Sequence, residues 1–182
     1  MNLPNKLTLV RIFLIPFCLV LIYFNINIAA CAVFIAACIT DFFDGQIARK
    51  KSLVTNFGKF ADPVADKILV ISTMVLLVHQ QRFPWWALLI IVVREFAVDG
   101  LRLIAVEQGV VIPAGQLGKI KTALQMFGVI AAIINAPAWL VITLAAVMSI
   151  MTIASGAQYF AEGRHLIYAG GSKNPKDINK KQ

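Results

Sequence analysis

Four aspartates in one short stretch carry most of the chemistry this sequence offers. They stand in Asp41-Phe-Phe-Asp44-Gly45-Gln-Ile-Ala48-Arg49 and, after a polar linker over about Lys51–Phe57, in Gly58-Lys-Phe-Ala-Asp62-Pro-Val-Ala-Asp66. On a helix Asp41 and Asp44, three apart, share a face that Ala48 continues, and Asp62 and Asp66, four apart, share a face of the next helix. So short a linker folds the second helix back on the first, so the two pairs are expected on antiparallel neighbours at one depth. Four carboxylates that close repel one another unless cations intervene. Arg49, Lys59 and Lys67 are near, but a cluster of oxygen ligands suits a hard divalent ion better, which points to Mg²⁺ or Mn²⁺. Two such ions, about 3.5–4 Å apart, would clamp a phosphoanhydride and stabilise both its attacking and leaving oxygens. Gly45, Ala48, Gly58, Ala61 and Ala65 leave room beside them for a bulky headgroup. A plain ion-pair network capping two helix ends would explain one Asp–Arg pair; it explains four aspartates at these spacings poorly.

The elements that must hold these groups are apolar helices. The chain has 182 residues, 59 % of them apolar and 14 % charged, against about 45–50 % and 25 % in an ordinary soluble domain. The surplus must face lipid, which excludes a secreted disulfide scaffold, a disordered tail and a conventional cytosolic enzyme. A net charge of +8 could suggest nucleic acid. Here, however, the basic residues punctuate apolar runs instead of forming one water-facing patch, so no nucleic-acid partner is expected. Cys18, Cys31 and Cys38 lie in apolar stretches without metal-ligand spacing and read as reduced, buried or lipid-facing residues. Ile28-Ala-Ala-Cys31 and Ile35-Ala-Ala-Cys38 resemble lipoprotein cleavage boxes, but cleavage would leave a multispan remainder, so the segment reads as a retained helix.

The expected fold class is an all-α integral membrane protein with six transmembrane helices. Spans are expected at about 8–24, 28–48 and 60–80, a fourth opens at Pro84, and Asn135-Ala-Pro137 divides the uncharged run from Thr122 to Ala161 into a fifth and sixth. Trp85-Trp86 reads as an interfacial anchor. Sixteen of the seventeen basic residues, all but Arg82, and all nine acidic residues fall toward one side. By the positive-inside rule that side is cytoplasmic and holds both termini and the active site of a multi-pass protein in the cell (plasma) membrane. Residues 1–170 are expected to form the membrane domain, and 171–182 a polar, basic tail.

At every defined position, Asp41-x₂-Asp44-Gly45-x₂-Ala48-Arg49-x₈-Gly58-x₃-Asp62-x₃-Asp66 resembles the signature of the CDP-alcohol phosphotransferases. The resemblance implies six transmembrane helices, a homodimer, divalent metal ions, and transfer of a phosphatidyl group from a CDP-linked lipid to an alcohol with release of CMP. Carried over by position, Asp41, Asp44 and Asp62 would hold one ion. Asp41, Asp62 and Asp66 would serve the second, with Asp66 also acting as base on the acceptor hydroxyl. Gly45, Ala48 and Arg49 would line the CDP pocket, beside the space left by Gly58. The opening Leu3-Pro4-Asn5-Lys-Leu-Thr8-x₂-Arg11 is similar to the family's short amphipathic lead-in, whose Asn and Thr, here Asn5 and Thr8, lie near the nucleotide.

A second polar set follows at the same cytoplasmic level: Arg94-Glu95, Arg102, Lys119, Lys121, Thr122 and Gln125. Arg94 and Arg102 are eight apart, a little over two turns, and can look to one side of span four. Lys119 and Lys121 open span five, where the helix N-terminus adds positive potential. Each residue alone fits positive-inside anchoring. Together, Arg94, Arg102, Lys119 and Lys121 suit a dianionic phosphate on the acceptor, such as glycerol 3-phosphate or an inositol phosphate, better than an amine. The run from Arg94 to Arg102, with Ala114, Gly118-Lys119-x-Lys121-Thr122 and Gln125, resembles the branch of the family that joins CDP-diacylglycerol to sn-glycerol 3-phosphate. Serine or inositol phosphate as acceptor would leave the metal chemistry unchanged. A membrane polyprenyl transferase needs a second Asp-rich motif, and Asp99 stands alone. A cation-coupled transporter would more often show broken helices and inverted internal symmetry.

Overall fold

The computed structural model describes residues 3–50, 56–108 and 115–169, with side chains described over 10–40, 64–65, 67–108 and 115–164. Within them run six helices: α1 (Leu3–Tyr23), α2 (Asn27–Lys50), α3 (Asn56–His79), α4 (Trp85–Glu107), α5 (Gln116–Ile133) and α6 (Ala138–Ala169). Long uncharged apolar runs make each of them. The lead-in and the first span, expected as separate pieces, form one helix that contains Pro16.

Three turns of one design close one end of the structure. Asn25, Gln81 and Asn135 each adopt a left-handed conformation, with φ of 60°, 58° and 58°. At each, the following amide donates back five residues along the turn (Ile26 to Leu21, Arg82 to Leu77 and Ala136 to Ala131, each 2.9 Å), satisfying carbonyls the helix would otherwise leave open. The Asn residues and Pro137 made two of these turns legible in advance; Gln81 gave no comparable signal. Pro84, with φ −73° and ψ 128°, precedes α4 as expected. Arg82 locks two of the turns together, its guanidinium donating to Asn27 Oδ1 at 2.9 Å and Asn25 Oδ1 at 2.8 Å. Gln80 adds a bond to the Ile22 carbonyl at 3.0 Å.

Packing follows these hairpins. α1 lies against both α2 and α3, while α6 lies against α4 and α5. Among the described residues α2 and α3 touch each other only slightly, so the expected neighbours are held together mainly through α1. The core joins Ile15, Cys18 and Ile22 of α1 to Phe34 of α2, Leu69, Met74 and Leu77 of α3, and Met148 of α6. Cys18 is buried and donates to the Ala30 carbonyl. α4 and α6 run parallel and approach closely at two glycines. A Cβ on Gly156 would lie 3.2 Å from Arg94 Cγ, and one on Gly163 would lie 2.8 Å from Leu101 Cδ2. Large apolar side chains also point outward on several helices, among them Phe13, Phe96, Leu103 and Ile150. Among the described residues one helical stretch, Ala138–Arg164, is long and apolar enough by itself to cross a membrane, while Val10–Tyr23, Asn27–Thr40 and Lys67–His79 are shorter apolar stretches.

Candidate active site

α2 and α3 carry the aspartates at facing ends. α2 closes at Lys50 and α3 opens at Asn56, so five residues join the helix bearing Asp41 and Asp44 to the one bearing Asp62 and Asp66. The side chains of Asn5, Thr8, Asp41, Asp44, Gly45, Ala48, Arg49, Gly58, Asp62 and Asp66 lie outside the described residues, as does the tail from 170 to 182. The donor chemistry at these helical positions is nonetheless all oxygen, and it fits a hard divalent ion. Among the described residues there is no group of three metal-ligating side chains elsewhere. Arg11, at the head of the first apolar run, is completely buried on α1.

The second polar set is described in detail, and it forms a connected network across α3, α4, α5 and α6. Glu95 is its centre. Lys121 of α5 pairs with Glu95 Oε1, Arg94 Nη1 lies 3.3 Å from the same oxygen, and Lys67 of α3 lies 3.5 Å from Oε2. Lys67 also pairs with Asp99. Asp99, isolated in the sequence, is therefore not isolated in space: one turn along α4 from Glu95, it meets a lysine 32 residues away. Beyond Glu95 the network continues toward α6. Arg94 Nη2 donates to Ser155 Oγ at 2.7 Å, Arg102 Nη2 donates to the Tyr159 hydroxyl at 2.8 Å, and both guanidinium carbons stand over the Tyr159 ring at 5.5 and 5.2 Å.

Of the four cations expected at the acceptor, Arg94, Arg102 and Lys121 are thus joined through Glu95 and Tyr159. Lys119 is exposed on the first turn of α5, without a hydrogen bond or ion pair among the described residues. Lys67, Glu95, Lys121, Thr122 and Gln125 line a cavity of about 60 Å³, room for a few waters or one phosphate-sized group. Burial makes the pairs matter. Lys121 is 6 % exposed and Glu95 and Arg94 each 12 %, so a charge left there without its partner would be costly. Sequence reasoning assigned Lys67 to the aspartates and passed over Tyr159 and Ser155. A lone tyrosine and serine at one end of an apolar helix were the only signals for the latter two.

All-helical architecture and the aspartate-bearing turns agree with the comparison to known proteins. Residues 1–153 match the family model for CDP-alcohol phosphatidyltransferase, and the chain belongs to that family of membrane-associated enzymes. The chain is 41 % identical over 182 aligned residues to the CDP-diacylglycerol–glycerol-3-phosphate 3-phosphatidyltransferase of Bacillus subtilis, covering 88 % of this chain and 94 % of that protein. The protein of the same name from Rickettsia typhi is also 41 % identical, over 87 % of this chain and 95 % of its own. A protein named probable phosphatidylglycerophosphate synthase from Mycobacterium tuberculosis is 37 % identical, over 88 % of this chain and 80 % of its own.

Proposed function

We propose that this chain transfers the phosphatidyl group of CDP-diacylglycerol to the 1-hydroxyl of sn-glycerol 3-phosphate, forming phosphatidylglycerol phosphate and releasing CMP. The observation that carries the reading is the network around Glu95, close along the chain to the aspartate-bearing turns. Among the described residues Arg94, Arg102, Lys67 and Lys121 gather around two carboxylates, Glu95 and Asp99. Four cations brought together from three helices suit an acceptor that brings a dianionic phosphate. The names of the relatives support the same acceptor.

In this reading Asp41, Asp44, Asp62 and Asp66 would hold two divalent ions, Mg²⁺ or Mn²⁺. When bound, such ions supply neutralisation of the diphosphate and polarisation of its phosphorus. Asn5, Thr8, Gly45, Ala48, Arg49 and Gly58 receive the CDP group. Asp66 takes the proton from the acceptor hydroxyl as its oxygen forms the new bond to the lipid-side phosphorus, and the anhydride bond to CMP breaks. Arg94, Arg102 and Lys121 hold the acceptor phosphate so that the hydroxyl faces that phosphorus, with Lys119 drawing the anion in.

The same proposal places six crossings in the plasma membrane, a homodimer, and the charged end with both termini in the cytoplasm. Exposed Trp85 and Trp139 mark the opposite end, where Arg82 is the only arginine or lysine among the described residues, and this supports that orientation. An acceptor panel with mass-tagged CDP-diacylglycerol tests the function. Glycerol 3-phosphate is expected to be used far better than serine, inositol, inositol phosphate or phosphatidylglycerol, with no turnover in EDTA. Preference for serine or free inositol would overturn the acceptor, and full activity in EDTA would overturn the metal chemistry.

A further inference from the structure

Charge matching divides the network into two parts. Lys67 and Lys121 are already met by Asp99 and Glu95, so two lysines and two carboxylates cancel. Among the described residues Arg102 meets no carboxylate and Arg94 shares Glu95 with the two lysines, and Tyr159 is what these arginines share. Its hydroxyl accepts from Arg102 Nη2 at 2.8 Å and from the Gly115 amide at 3.2 Å. Its ring stands within 5.5 Å of both guanidinium carbons, an arrangement in which one aromatic ring attracts two cations that would otherwise repel each other.

Gly115 is the N-cap of α5 and lends that helix no side-chain cap. The phenol therefore ties the two arginines to a helix start whose amides carry positive potential. Gly118, in the first turn, leaves space beneath: a Cβ there would stand 3.9 Å from Ser155 Oγ and 4.0 Å from the Tyr159 ring. The Nε atoms of both arginines are buried without a hydrogen-bond partner, so the ring and the Nη contacts, not a carboxylate fork, fix their planes. Arg102 commits only Nη2 among the described residues. Tyr159 itself is 3 % exposed, too enclosed to serve as the main contact for a water-soluble substrate.

We propose that Tyr159 is a positioning residue for the acceptor: its ring and hydroxyl hold Arg94 and Arg102 at the start of α5, and through them set the affinity for a phosphomonoester. The inference rests on the acceptor reading above and deepens it, because it names what sets the position of the two arginines among the cations that hold the phosphate. Removing the hydroxyl alone frees Arg102 and the Gly115 amide while keeping the ring.

The test is steady-state kinetics on the full chain in nanodiscs, varying each substrate in turn. Tyr159→Phe is expected to raise the KM for glycerol 3-phosphate about tenfold, the scale of a lost hydrogen bond to a charged group, with kcat and the KM for CDP-diacylglycerol within twofold of wild type. Tyr159→Leu, which also removes the ring, is expected to raise it about a further tenfold; should that variant fail to fold, Tyr159→Phe decides alone. An unchanged acceptor KM in Tyr159→Phe, or parallel losses in kcat and in both KM values, overturns the proposal. Arg102→Ala separates the two levels of inference. If it raises the acceptor KM while Tyr159→Phe does not, only the role of Tyr159 falls. If it leaves the acceptor KM unchanged, the placement of the acceptor phosphate falls with it.

Discussion

The two ends of this bundle use charge in opposite ways. At the end closed by the three turns, a single arginine, Arg82, donates to two neutral side-chain carbonyls, Asn25 and Asn27. Every strong donor there has an acceptor supplied by the turns themselves, and the result is a clamp. At the other end, Lys67, Lys121, Arg94 and Arg102 crowd around Glu95, Asp99 and Tyr159, and among the described residues two arginine Nε atoms are buried without hydrogen-bond partners. Buried charge that is fully matched holds helices together. A cluster of four cations can also receive an anion, which a clamp built on neutral acceptors cannot.

The comparison breaks most visibly at Glu95. Glu95→Ala leaves Lys121 buried with the Glu95 carboxylate gone, and about 3–5 kcal/mol of stability is expected to be lost. Thermal unfolding in detergent measures it, and Glu95→Gln, which keeps a hydrogen-bond acceptor, is expected to lose less. A Glu95→Ala protein that melts like wild type would show that the network is not a strut. Arg82→Ala is the matching change at the quiet end. It removes two hydrogen bonds at a partly exposed site and is expected to cost about 1 kcal/mol, with both KM values unchanged; a raised acceptor KM would mean the two ends are coupled. Smallest of all, Gln81→Gly relieves a left-handed conformation in a residue with a Cβ. A gain of about 0.5–1 kcal/mol is expected, read as a higher melting temperature at unaltered turnover.

Much of the frame was legible in the residues. Asn25 and Asn135 with Pro137 interrupt uncharged runs because a short polar side chain tolerates a left-handed turn that apolar residues resist, and the helices end there. Pro84 marks the start of α4 for the related reason that its φ suits a helix start. The lead-in was less legible. Nothing local separates it from the first span, and the structure runs them together despite Pro16. The aspartate motif was readable as metal chemistry because four carboxylates at i, i+3 and i, i+4 spacings have few other uses.

What the sequence determined by itself was therefore everything that depends on short range: apolar runs long enough to be helices, the residues that stop them, and the helical faces that gather the aspartates. Tertiary structure decided which distant charges neutralise one another. Asp99 meets Lys67 across 32 residues and Arg102 meets Tyr159 across 57, and no local pattern encodes either pairing. Their partners are chosen by how α6 packs against α4, where Gly156 lets Arg94 pass and Gly163 accepts Leu101. A glycine in a long apolar helix reads the same in any register; only the packed interface says which side chain it admits, and so which cations are brought together.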